Sequence, residues 1–158
     1  MKKEKSFTYT QVPNRGDLNA ADLDLLEIAE QAVHTAYAPY SDFKVGVALR
    51  LENGLTVRGS NQENAAFPMC VCGEQVALAH AGSNYPGIAV ISMAIAAQSA
   101  QGWNGPLAPC GACRQIIAEH EKRGGKAIRL VLLGGKDEVY IFEGVSPLLP
   151  FAFDDTYF

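Results

Sequence analysis

The sequence lacks any apolar run that could cross a membrane. Its longest, Ile88 to Ala97, is broken by Ser92 and falls far short of the roughly 20 residues a spanning helix needs. Basic charge is also scarce: 13 Lys and Arg stand against 17 Asp and Glu, for a net charge of -4. Proteins that track a phosphate backbone carry a basic face. The one basic cluster here, Lys2, Lys3 and Lys5, reads as a solvated tail, so a DNA or RNA polymer is not the expected partner. That cluster leads into Ser6-Phe7-Thr8-Tyr9-Thr10 rather than an apolar segment, which argues against a secretory signal. The expectation is a cytoplasmic protein with neither membrane nor nucleic-acid partner. Internal repeats and low-complexity tracts are missing too. Cysteine is limited to four residues, and in a reducing compartment a metal or catalytic use outranks disulfides.

What is present suffices for one domain. The 158 residues are 48% hydrophobic and 19% charged, a mix that builds a core unaided. Residues 1–17 read as an irregular arm and 18–158 as the domain. Asn19 can cap a helix running to about Ala38, with Leu25, Ile28, Ala29, Ala32, Val33 and Ala36 on one face. The Ala38-Pro39 step should end it. Val45, Val47 and Leu49 alternate with smaller or polar neighbours, and Asn53-Gly54 signals a hairpin into a return strand from Leu55 to about Gly59. A second helix should run from near Cys72 to Gly82, and a buried strand over Ile88 to Ala96. A Gly/Pro loop, Gly102 to Pro109, precedes a third helix from Cys110 to Gly124-Gly125. Strands at Ile128 to Leu133 and Val139 to Phe142 complete the order αββαβαββ. That order predicts an α/β fold, a five-stranded sheet in a three-layer α/β/α sandwich.

Three short segments carry the chemistry: Cys72-Gly73-Glu74, Pro109-Cys110, and Cys113. Cys110 and Cys113 fall within one helical turn, so both sulfurs can meet one ion. Cys72 opens another helix, and residues around a helix start can reach a point in front of its axis. Both helix starts would aim their positive ends at the ion and favour thiolates. Three protein ligands leave a fourth position on zinc for water, as in catalytic rather than structural sites. Zinc brings the pKa of such a water toward neutrality, and Glu74 is placed to take its proton. Spacing alone gives an open zinc site beside an acid. The pattern Cys-x-Glu with Pro-Cys-x-x-Cys is the general signature of zinc deaminases.

The similarity extends beyond the metal. Ala36-Tyr37-Ala38-Pro39-Tyr40-Ser41-Asp42-Phe43-Lys44-Val45-Gly46, Gly59-Ser60-Asn61-Gln62-Glu63-Asn64-Ala65-Ala66-Phe67, Pro109-Cys110-Gly111-Ala112-Cys113-Arg114-Gln115, and Leu148-Leu149-Pro150 with Phe153 occur in that order. Together they resemble the small cytidine deaminases over roughly residues 20–153. The resemblance implies a cytidine-deaminase-like sandwich with a mixed sheet and one zinc per subunit. It implies hydrolysis of cytidine and 2'-deoxycytidine to the uridines by a zinc-activated hydroxide, as in pyrimidine salvage, with Glu74 as proton shuttle. Asn61 and Glu63 would bind the ribose 3'-hydroxyl, and Phe43 would pack on the base. Phe153 would reach a neighbour's pocket in a homotetramer with shared active sites.

Departures from the family pattern bear on the pocket. Gly73 and Gln75 flank Glu74 where the family usually has Ala and Arg, Phe67 replaces a Tyr, and Phe151 replaces a small residue. They leave open a deaminase of another aminated nucleoside or nucleoside antibiotic. Plainer readings stand beside these. Cys70 could complete a closed structural zinc site, or be a small buried hydrophobe. Asn61 and Glu63 could merely shape a turn, and Phe43 and Phe153 could be core. His34, His80 and His120 match no ligand position and read as surface or structural. Trp103, in the Gly/Pro loop, has no functional account at this level.

Overall fold

The computed structural model describes residues 1–157; Phe158, the expected end of the domain, lies outside them. Among the described residues, six strands and three α-helices follow the order β1 (Thr10–Val12), α1 (Ala20–Val33), β2 (Lys44–Leu51), β3 (Thr56–Ser60), α2 (Gly73–Asn84), β4 (Val90–Gln98), α3 (Gly111–Gly124), β5 (Arg129–Leu133) and β6 (Val139–Glu143). The strands form one mixed sheet ordered β1-β6-β5-β4-β2-β3. Only β4 and β5 run parallel, joined by α3; the other pairings are antiparallel. The sheet therefore has six strands, not the five expected. The extra one lies in the arm: Thr10–Val12 pairs with Val139–Ile141 at the sheet edge. Three mostly exposed residues give no alternation of apolar and polar side chains to read.

The two faces of the sheet sort by the period-2 rule. Val47, Leu49, Met93, Ile95, Leu130 and Leu132 point to α2 and α3, around Leu78 and Ile117. Ala48, Ala94, Ala96 and Val131 point the other way, to Leu25, Leu26, Ala29 and Val33 of α1. Small residues on the α1 side let that helix lie very close. A Cβ on Gly46 would stand 2.1 Å from the Ala29 carbonyl oxygen. Likewise a Cβ on Gly59 would stand 2.5 Å from the Ala77 nitrogen, so α2 rests directly on β3.

Most boundaries fall within a few residues of expectation. Asn19 caps α1, its side chain accepting from the Asp22 N–H at 2.9 Å. Gly125 closes α3 in the left-handed conformation, φ 64. The β2–β3 turn uses a Gly54 N–H to Leu51 carbonyl bond of 2.9 Å followed by Gly54 at φ 85. Helix α1 stops at Val33, five residues before Ala38. Its end tightens as the Thr35 hydroxyl donates to the Ala32 carbonyl at 2.8 Å, and the Tyr37 N–H turns away to the Asn61 carbonyl at 3.0 Å. That bond brings the 37–44 loop beside the segment after β3. No described helix is long and apolar enough to cross a membrane.

Candidate metal centre and pocket

Cys72 and Cys110 are the N-cap residues of α2 and α3, and Cys113 lies in the first turn of α3. The two helices start side by side, so three sulfurs meet from two elements. The Cys72 and Cys110 Sγ atoms are 3.9 Å apart, and Cys110 and Cys113 Sγ 3.5 Å. Sulfurs sharing a tetrahedral zinc at roughly 2.3 Å would lie about 3.8 Å apart, so the donor set fits that ion. Burial grades from Cys113, fully enclosed, through Cys72, half-buried, to Cys110, exposed, leaving one side open. Among the described residues, this is the only group of three or more His, Cys, Asp or Glu placed to hold a metal.

Electrostatics point the same way. Hydrogen bonding from Cys113, and less strongly from Cys110, draws the Cys72 thiol down to about 7. The same pairing, with burial and the Glu74 charge, pushes Cys113 far above the ordinary thiol range. Crowded sulfurs can share one negative charge by hydrogen bonding, but three thiolates together need a cation.

Glu74, in the first turn of α2, is buried at 6% exposure. That burial raises its pKa, opposed by hydrogen bonds to its own backbone N–H and to the Cys113 thiol. Glu74, Cys72 and Cys110 line one cavity of about 210 Å³ with Phe43, Asn61 and Ala108. A wider cleft of about 480 Å³ lies under the arm from Lys5 to Thr10, but none of the clustered sulfurs reaches it.

The remaining candidates divide. Asn61 lines the cavity, its Oδ1 accepting from the Val45 N–H at 2.8 Å and its Nδ2 donating to the Phe43 carbonyl at 2.9 Å. These bonds bolt the start of β2 to the pocket wall. Glu63 sits outside the lining and accepts from the Tyr40 N–H at 2.9 Å, the Ser41 N–H and the Ser41 hydroxyl. Those bonds, the hydroxyl's first, hold its pKa below the usual carboxylate range. Phe153 stands away from this subunit's cavity, its carbonyl accepting from Gln115 Nε2 at 2.7 Å on α3.

Cys70 is exposed, contrary to the reading of it as a small buried hydrophobe. It also stands outside the sulfur cluster, its Sγ taking the Asn64 N–H at 3.3 Å. A closed four-sulfur site is thereby not formed. His34 and His80 are exposed and His120 half-buried, none of them in the cluster. Two residues not named among the candidate site residues prove to touch the site. Gln75 accepts the Cys72 N–H at 3.3 Å, and Trp103 meets Phe43 edge-on with ring centroids 6.0 Å apart. A Gln three residues after a helix start is a capping-box signal; Trp103 offered no periodicity to read.

With this geometry in view, the chain can be compared with known proteins. Residues 20–124 match the family described as the cytidine and deoxycytidylate deaminase zinc-binding region. A cytidine deaminase of Halalkalibacterium halodurans is 40% identical over 82% of this chain and 91% of its own. One from Sporosarcina psychrophila is 39% identical over 82% and 88% respectively. The 1.6 Å crystal structure of cytidine deaminase from Burkholderia pseudomallei superposes with a TM-score of 0.71 at 36% identity, covering 86% of this chain and all of that one.

Proposed function

Since the chain belongs to the cytidine and deoxycytidylate deaminase zinc-binding family, we propose that it is a zinc-dependent cytidine deaminase, hydrolysing cytidine and 2'-deoxycytidine to uridine and 2'-deoxyuridine with release of ammonia. The observation that carries this reading is the clustering of the Cys72, Cys110 and Cys113 sulfurs, with Cys72, Cys110 and buried Glu74 lining one open cavity. When bound there, one zinc per subunit supplies a water acidic enough to attack near neutral pH.

The chain's own residues supply the rest. Cys72, Cys110 and Cys113 hold the ion. Burial disfavours the charged form of Glu74, so it readily takes up the proton lost by the attacking water. Glu74 gives that proton to N3 of the base, then takes the proton of the hydroxyl newly bound at C4 and delivers it to the departing exocyclic amine, ending as it began. Phe43, on the cavity wall, packs on the base. Asn61 still has one N–H and one lone pair after its bonds to the backbone, and Glu63, already accepting three hydrogen bonds, has about one lone pair left. Both are therefore equipped to meet the ribose hydroxyls.

We further infer a homotetramer, with Phe153 serving a neighbour's pocket, working in the cytoplasm. Supporting it, Tyr40, Phe67 and Met69 form an exposed apolar surface beside the site, Tyr40 and Phe67 in edge contact at 5.8 Å. The test is product analysis. Zinc-loaded protein given a panel of aminated nucleosides should release ammonia from cytidine and deoxycytidine foremost. Failure to form either uridine, or dominance of a modified nucleoside in that panel, overturns the assignment.

A further inference from the structure

Trp103 is the only tryptophan in the chain, and its surroundings are built with unusual closeness. Gly102 and Gly105, both left-handed at φ 63 and 73, reverse the backbone on either side of it. The Trp103 carbonyl passes directly over Gly135, where an added Cβ would lie 1.7 Å from its oxygen. Beyond it Pro106 bridges to Gly134, and the Leu107 N–H donates to the Leu133 carbonyl at 2.9 Å, zipping the loop onto the end of β5. Leu107 and Ala108 then line the active cavity, and Pro109 delivers Cys110.

The indole packs against the α1-side core and meets the Phe43 ring in a T-shaped contact, 69° between ring planes. Its Nε1 is buried with no hydrogen-bond partner. Burying such a donor unpaired is destabilising, so stability alone does not account for a tryptophan here; phenylalanine would fill the wedge without the penalty. The contact with Phe43 on the pocket wall does account for an aromatic ring at this position. Phe43 sits on a loop preceding β2, and the Asn61 bonds hold only its backbone. Nothing in that pairing fixes the ring.

We propose that Trp103 is a positioning residue of the nucleoside pocket: its indole backs the Phe43 ring and sets the distance between the base-packing wall and the Leu107–Ala108 wall leading to Cys110. The inference rests on the cytidine deaminase reading of the site. It acts on substrate and transition state alike, because the base stacks in both, so it falls on KM more than kcat.

The experiment compares Trp103→Ala, Trp103→Phe and Gly135→Ala with the parent enzyme, each zinc-loaded and assayed for metal. An edge-to-face aromatic contact is worth about two- to tenfold in an equilibrium. Trp103→Ala should therefore raise KM for cytidine about three- to tenfold, with kcat within about threefold and one zinc per subunit retained. Gly135→Ala, which keeps the indole but displaces its backbone, should raise KM in the same direction. Trp103→Phe should restore KM to within about twofold. In the parent protein, titration with uridine should change the tryptophan emission in a saturable way. An unchanged KM in Trp103→Ala, or a loss confined to kcat or to the unfolding midpoint, overturns the proposal. If Trp103→Ala does not fold, Gly135→Ala and the uridine titration decide, and a flat emission signal refutes it. A parent protein that deaminates no nucleoside strikes the reading of the site instead; the uridine titration still reports whether Trp103 backs a nucleoside pocket.

Discussion

Glu74 and Gln75 are neighbours in the first turn of α2 with different work to do. Glu74 points into the cavity and is buried; Gln75 turns back and accepts the Cys72 N–H. The amide oxygen therefore holds the backbone of Cys72. An arginine here, as in the usual family pattern, cannot accept that bond and would act by charge instead. Replacing Glu74 with Gln preserves shape and removes the group proposed to bind and release protons. General acid-base loss is worth about 10²–10⁴-fold, and Glu74 serves several transfers, so kcat should fall by about 10⁴-fold or more. Zinc content and unfolding midpoint should stay at parent values. Turnover within about tenfold of the parent would mean another group moves the protons. At this scale the sequence is most legible where chemistry restricts residue type. The three cysteines and Glu74 stand out as candidates because few other residues hold zinc or shuttle a proton, and the fold brings them together. Cys70 and Trp103 could not be placed, since burial and ring contacts arise only when distant segments meet.

Among the elements, the small residues on one sheet face decide how the layers close. Gly46, Ala48, Ala94 and Ala96 form a low surface on which α1 lies. Gly46→Ala would put a methyl 2.1 Å from the Ala29 carbonyl oxygen and 2.5 Å from the Val33 nitrogen. Backbone cannot yield as a side chain does, so α1 must move. Overpacking of this kind costs about 1–3 kcal/mol or more, read as a lower denaturation midpoint in urea with an unchanged slope. A shift smaller than about 0.5 kcal/mol would show that α1 slides freely over β2. Alternation along β2 and the apolar runs of β4 and β5 made these strands legible, as the flanking Asn19 and Gly125 did for the helices. The early end of α1 was not legible. It depends on Tyr37 pairing with a segment more than 20 residues away, which outweighs the local helical pattern. Strand β1 was hidden for a related reason: it is held by β6 across the whole chain, and its own three residues say little.

For the whole molecule, the placement of Phe153 poses a question that one subunit cannot answer. The segment after Pro150 follows α3, fastened by Gln115 to the Phe153 carbonyl and by Lys122 to Asp155. It leads away from the cavity that Cys110 and Glu74 line in the same chain. In the proposed homotetramer, a residue so placed would act on catalysis by reaching another subunit's pocket. That arrangement has a consequence for mixtures. Glu74→Gln spoils the pocket of the subunit that carries it but still provides an intact Phe153 to its neighbour. Phe153→Ala keeps its own Glu74 and lacks only what the neighbour supplies. When the two proteins exchange subunits, some pockets pair Glu74 of one chain with Phe153 of the other, and these are complete. Activity should then rise above the mean of the two separate variants and track the fraction of mixed oligomers resolved by native mass spectrometry. If Phe153 instead acts within its own chain, no mixed oligomer contains a repaired pocket, and the mixture stays at the mean however completely the subunits exchange. Sedimentation of the parent as a monomer would remove the premise of both outcomes, because a shared pocket needs a second subunit beside it.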